Sequence, residues 1–149
     1  MVVEILVAVS IIAVSVLATM AVAQKSVYVS RQALHSREAA FLLEEGAEAV
    51  RIARDNVWSN ISSLTIGTNY YPTFSGSTWT LSATASTVGI FTRTVAFSNV
   101  NRDNSTKDIV SSGGTNDPGT KLVTVTVSWQ EGGATVTKNL QFYIIDIFS

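Results

Sequence analysis

The first 24 residues of the chain are apolar on every side. The run MVVEILVAVSIIAVSVLATMAVAQ carries one charged side chain, Glu4, and three small hydroxyls, Ser10, Ser15 and Thr19. A helix with no polar face belongs in lipid or among other apolar helices. From Gln24 onward the pattern becomes amphipathic. Leu43, Ala47, Val50, Ala53, Val57 and Ile61 recur at spacings of three and four and form one stripe, with Glu44, Glu45, Glu48, Arg51 and Arg54 on the other side. Glu48 with Arg51, and Arg51 with Asp55, stand one turn apart and are placed to pair. No Pro or Gly precedes Gly46, so the pattern predicts one long helix over residues 1 to about 62. Gly46 itself weakens that helix by about 1 kcal/mol relative to Ala and suggests close approach by another backbone. The segment DNVWSNISS ends the helix, because Asp, Asn and Ser side chains compete for backbone hydrogen bonds.

Beyond the helix the period changes to two. STWTLSA and GIFTRTVAF are rich in Thr, Val and aromatic residues and read as strands. TKLVTVTVSW alternates strictly, with Val123, Val125, Val127 and Trp129 on one face and Leu122, Thr124, Thr126 and Ser128 on the other. EGGA follows as a turn, and TVTKNLQFYII alternates again, placing Val136, Leu140, Phe142 and Ile144 together. Two alternating strands around Gly-Gly predict an antiparallel hairpin. Its apolar face needs a cover, and the helical stripe is the available one. The predicted fold is therefore α+β: a long N-terminal helix, apolar in its first half and amphipathic in its second, packed on a C-terminal antiparallel β-sheet. The predicted core pairs Leu43, Ala47, Val50, Val57 and Ile61 of the helix with Val123, Val125, Val127, Trp129, Leu140 and Phe142 of the sheet. The expected division is a hydrophobic segment over 1–24, an amphipathic helix half over 25–62 and a β region over 63–149. Between two strands lies the polar stretch SNVNRDNSTKDIVSSGGTNDPGT, read as a long connection with a short strand at 109–110.

Composition narrows the function. With 10 basic and 11 acidic residues the net charge is −1, which gives no basic face for nucleic acid. The absence of cysteine excludes disulfides and thiolate metal sites. The one histidine, His35, falls on the helix with no nucleophile elbow in the chain, so neither a hydrolase nor any other enzyme is expected, and no cofactor is implied. About 20 helical residues cross a roughly 30 Å hydrocarbon core, so the apolar run is long enough to span a bilayer. Its acidic start and its continuation as a polar helix set it apart from a secretory signal peptide, and it is read as part of the mature protein.

Glu4 then demands an explanation. A carboxylate in the first helical turn is favoured by the helix dipole. It also fits the membrane interface, outside the apolar core. The third reading is an ion pair with a cation from outside the chain, since the first 24 residues hold no Lys or Arg. An amine presented by a neighbouring copy shifted along the axis would serve, and it would remove the cost of an unpaired carboxylate in hydrocarbon.

At these residues the chain resembles a known family. A single Glu near the start of VEILVAVSIIAVSVLA, an amphipathic extension and then an antiparallel sheet are similar to a mature type IV pilin or pseudopilin. AAFLLEEGAEAVRIARDN is likewise similar to the stretch after the anchor in many bacterial prepilin-like proteins. The resemblance implies a basic leader removed by a prepilin peptidase, N-methylation of the new terminus, residence in the cytoplasmic (inner) membrane, and extraction by the pilus assembly machinery into an extracellular helical homopolymer. In such a filament the apolar helices bundle and the β regions lie outside. The family's Glu neutralises the amine of a neighbouring subunit, a role that would fall on Glu4 and Met1. The filament-core helix would present Val2, Ile5, Leu6, Val9, Ile12, Val16 and Met20.

The resemblance thus implies a structural pilus subunit acting in adhesion, motility or DNA uptake. A minor pilin or a type II secretion pseudopilin is the nearest alternative, and a monomeric membrane-anchored extracellular binding domain a more distant one. Three departures from the family pattern stand out. The family has one more residue before its Glu, the apolar half lacks the usual Gly and Pro, and no disulfide can close the C-terminal region, which leaves FYIIDIF held by the hairpin. In the polar connection, Asn101, Asp103 and Asp108, with Asn104 and Asp117 nearby, form a weak Ca2+ candidate without EF-hand spacing. An ordinary surface loop is the simpler reading. Asn60-Ile61-Ser62 and Asn104-Ser105-Thr106 match the glycosylation tripeptide, with Asn104 the better exposed candidate.

Overall fold

A computed structural model describes residues 1–147. The chain forms an α+β fold. Helix α1 (Val2–Asn56) is followed by a one-turn helix α2 (Ser59–Ser62) and seven strands: β1 (Tyr71–Ser75), β2 (Thr78–Ser82), β3 (Thr87–Val88), β4 (Phe91–Arg102), β5 (Ile109–Val110), β6 (Thr115–Glu131) and β7 (Ala134–Ile145). Two compact units divide at Glu38/Ala39. The expected boundaries at 24/25 and 62/63 followed the change in polarity and the end of the helix. Packing divides the chain instead where burial begins, at Ala39.

The first unit, Met1–Glu38, is helix alone, and its side chains are exposed almost throughout. The second unit is built on the main sheet, in the order β3-β4-β6-β7, with β5 also on β4. All pairings are antiparallel. The β6–β7 hairpin turns at Gly132 and Gly133, both at positive φ (58° and 84°), where glycine avoids the Cβ clash. Its register sets Val123 opposite Phe142, Val125 opposite Leu140 and Trp129 opposite Val136. β1 and β2 form a separate two-stranded ribbon around Gly76 and Ser77, joined to β4 by the bridge between Tyr70 and Val95. The ribbon's first strand escapes an alternation search, because Pro72 interrupts YPTFS and the paired segment is only five residues long.

The core lies between the sheet and the part of α1 from Ala39 on. Leu43, Ala47, Val50 and Ala53 bury against Val95 and Phe97 of β4 and Val123, Val125 and Val127 of β6. Ile61 of α2, Trp129 and Ile144 complete the cluster, and Phe91 meets Trp129 edge to face at 5.5 Å. Alternation along β4 and β6 is complete: each inward side chain from Phe91 to Phe97 and from Val123 to Trp129 is buried.

Two residues of the expected core lie outside it. Val57 is 49% exposed, because α1 ends at Asn56 and the stripe loses its helical phase before α2 restarts it. Leu140 is 37% exposed because β7 is the edge strand. Phe142 is half-buried and packs against the core from that same edge, with the Arg51 guanidinium 5.3 Å from its ring centre. Arg51 also reaches Glu48 at 3.2 Å, whereas Asp55 pairs with Arg54 at 2.7 Å rather than with Arg51. The FYIIDIF segment is described only through Ile147; its Phe148 lies outside the described residues.

At Gly46 the helix lies close against side chains of the sheet. A Cβ there would stand 2.7 Å from Val125 Cγ1 and 3.2 Å from Arg93 Cδ. The close neighbours are side chains of β6 and β4, not the backbone that the sequence suggested. Gly46→Ala therefore trades a helix-propensity gain of about 1 kcal/mol against overpacking of about 1–3 kcal/mol. A net loss of stability by urea titration is expected, larger for Gly46→Val. A gain in stability for Gly46→Ala would show that this contact is loose.

Candidate functional site

The first unit offers a surface rather than a pocket. Val2, Ile5, Leu6, Val9, Ile12, Val16 and Met20 are each at least half exposed, and the apolar residues between them are exposed too. The helix is long and apolar enough to cross a membrane. Its hydroxyls do not compromise that surface. Ser10 Oγ donates to Leu6 O (2.8 Å), Ser15 Oγ to Ile11 O (2.8 Å) and Thr19 Oγ1 to Val16 O (2.8 Å). Each polar hydrogen is thereby satisfied inside its own helix, which is the condition for residence in hydrocarbon.

Glu4 is the lone charged side chain of this surface. Its Oε2 lies 3.3 Å from the Met1 amino nitrogen of the same chain. Within the single chain, then, the nearest cation to the Glu4 carboxylate is its own terminal amine, three residues back. Both groups are almost fully exposed, and an exposed pair screened by water contributes little. Below the apolar run, the Lys25 ammonium sits 5.2 Å from the Tyr28 ring centre. A cation and an aromatic ring just past an apolar span are the residue types that favour a membrane–water interface.

In the second unit the structure brings together groups that the sequence reading left apart. Arg93 points from β4 into the helix–sheet interface and is only 4% exposed. Its Nη1 donates to Glu45 Oε2 at 2.6 Å and its Nη2 to Pro72 O at 3.3 Å, and the guanidinium lies 5.3 Å from the Trp79 ring centre. Its Nε is buried without a hydrogen-bond partner among the described residues. The sequence held the signal. Arg93 shares the parity of Phe91, Val95 and Phe97, so alternation places it inward, and Glu45 borders the buried stripe.

The polar connection is shorter and more ordered than its composition suggests. β4 and β6 extend into it, and the strand at Ile109–Val110 pairs with Asn101 and Arg102. The ladder slips between Asn99 and Val100, where the partner jumps from Lys121 to Asp117. Arg102 Nε donates to Asp117 Oδ2 (2.6 Å), and Thr120 Oγ1 donates to the same oxygen (2.6 Å). With Gly119 N–H adding a third bond, these contacts hold the Asp117 carboxyl below its usual pKa, Arg102 being the main cause. Asp103 is held below its usual value by the backbone N–H groups of Thr106 and Ser105.

Three of the Ca2+ candidates help to shape the turn itself. Asp103 Oδ1 accepts those two amides, and Asn101 Nδ2 donates to Gly113 O at 3.0 Å. Asp108 uses its backbone carbonyl to accept from Asp103 N–H. Among the described residues, no three His, Cys, Asp or Glu side chains cluster as a metal site. Asn104 lies exposed on the turn, and its Oδ1 accepts from Thr115 Oγ1 at 2.7 Å. Asn60, in the other tripeptide, spends its Nδ2 on Ala53 O at 3.0 Å. No protein-family model, curated protein or solved structure matches this chain.

Two outcomes follow from these pairs. Glu45→Ala strips the buried Arg93 of its carboxylate and is expected to cost about 1–3 kcal/mol in urea unfolding, against a few tenths for Glu48→Ala on the exposed face. Equal effects would remove the special status of Arg93. Because the native pKa of Asp117 is lowered, its contribution is fully present above the unfolded value of about 3.9 and is lost as pH falls through the native value. Asp117→Ala should cost about 1–2 kcal/mol at pH 7, and that difference should disappear in strong acid.

Proposed function

We propose that the protein is a structural subunit of an extracellular type IV pilus, a helical homopolymer joined through the helix over residues 1–23. One observation carries the reading: an apolar helical surface left bare around its whole circumference, interrupted only by the carboxylate of Glu4. Each Val, Leu or Ile returned to an apolar environment contributes about 1.5–3 kcal/mol, so this surface needs lipid before assembly and sister helices afterwards. Exchange between those two environments is nearly neutral in hydrophobic terms, because lipid tails are as apolar as Leu.

What distinguishes the assembled state in this proposal is Glu4. On moving away from water, its carboxylate exchanges the weak, solvated contact with its own chain for the amine of a neighbouring copy. Charge pairing in a dry bundle then fixes the axial step between subunits. The satisfied hydroxyls of Ser10, Ser15 and Thr19 support the same reading, since they leave helix–helix contacts governed by shape. Prepilin peptidase and the pilus assembly machinery would be its processing partners, and the inner membrane its station before extraction. The second unit, the β unit that begins at Ala39, would be exposed on the fibre and carry adhesion.

The test is assembly. In cells expressing the chain with its native machinery, sheared surface material should contain filaments of this protein by electron microscopy. Glu4→Ala should lower filament yield at least tenfold while the membrane content and the urea stability of the β unit stay unchanged. Normal filaments at normal yield from Glu4→Ala would remove the pairing role. A chain found only as isolated membrane-embedded monomers would overturn the polymer itself.

A further inference from the structure

A groove of about 340 Å³ opens in the second unit where the end of α1, helix α2 and strand β2 converge. Its apolar lining comes from Ala53, Leu64, Leu81 and the half-buried Trp79. Asn56, Asn60, Thr78 and Thr80 supply the polar rim, and no lining side chain is charged. The volume falls within the range of small-ligand clefts, about 300–1,000 Å³.

The rim groups are fixed by bonds within the protein. Asn60 Nδ2 is tied to Ala53 O and Asn56 Nδ2 to Thr78 Oγ1 (3.2 Å), so each amide holds one orientation and keeps its carbonyl oxygen as an acceptor. Thr78 Oγ1 accepts from Asn56 and retains its own hydroxyl hydrogen to donate. Trp79 is pinned by Arg93 on the core side and by Phe74, whose ring meets it edge to face at 5.5 Å. Such preorganisation lowers the ordering cost of binding.

We infer that this groove is a binding subsite for a neutral saccharide of one or two rings. The chemistry selects that class. An anionic ligand would find no cation in the lining, since Arg93 is already committed to Glu45 and Pro72, and a cationic ligand would find no carboxylate. A sugar ring offers apolar C–H groups to Leu64, Leu81 and the part of the Trp79 indole left exposed, and hydroxyls to the oriented amide oxygens. This inference concerns the β unit alone and stands whether or not the chain polymerises.

The experiment uses the full chain in phospholipid nanodiscs, free of sugar-headed detergents, with a panel of neutral mono- and disaccharides. Saturation-transfer NMR should show transfer to ring protons of at least one sugar, and titration of tryptophan fluorescence should saturate with it. Thr80→Lys, on the exposed rim, should weaken that binding at least tenfold while circular dichroism stays unchanged. Thr126→Lys, on the outer face of the sheet, should leave it intact. Absence of transfer from every neutral sugar overturns the proposal. So does binding that Thr80→Lys and Thr126→Lys affect equally, and so does transfer to a charged or peptide ligand alone.

Discussion

An apolar helix without a polar side cannot remain in water, and much of this molecule answers to that constraint. Over residues 1–24 the chain has only one charge with which to interrupt its grease. Every hydroxyl on the segment donates its hydrogen to a carbonyl about one turn back, and so leaves no unsatisfied donor on the surface. The β unit, by contrast, closes a core of its own between helix and sheet. The two halves of the chain solve the same problem differently: one buries its apolar side chains itself, and the other presents them for burial by its surroundings.

Within the β unit, the closeness of helix and sheet depends on small residues. Ala39, Gly46, Ala47, Ala49 and Ala53 line the buried side of α1. They let it settle onto β4 and β6 closely enough for Gly46 to leave no room for a methyl group. Arg93 occupies the same seam. Its guanidinium is desolvated, held by Glu45 and a carbonyl and backed by Trp79, so one cation ties the helix to both the main sheet and the two-stranded ribbon. Replacing it requires refilling that space as well as rebalancing charge.

Much of this was legible in the residues. Period-two alternation in TKLVTVTVSW and TVTKNLQFYII, with two glycines between, specifies the β6–β7 hairpin and its face, and the stripe from Leu43 to Ala53 specifies the cover. Two kinds of information were not local. Exposure of Leu140 follows from β7 being an edge strand, and Val57 is lost because the chain leaves helical geometry at Asn56; neither is encoded in periodicity. The polar connection misled in a different way. Its Asn, Asp and Gly content reads as coil, yet backbone pairing extends β4 and β6 through it. The candidate site divides similarly. Glu4 is conspicuous in the sequence, whereas the Trp79 groove joins residues separated by more than a helical segment and exists only after folding.

The inward-turned hydroxyls of Ser10, Ser15 and Thr19 have a consequence for recognition. Each has spent its one hydrogen on a carbonyl of its own helix, so the surface keeps hydroxyl lone pairs but offers no free hydroxyl donor, and an apolar neighbour of similar contour meets little that is directional. Selectivity for whatever covers this helix then depends chiefly on its contour and on the Glu4 carboxylate.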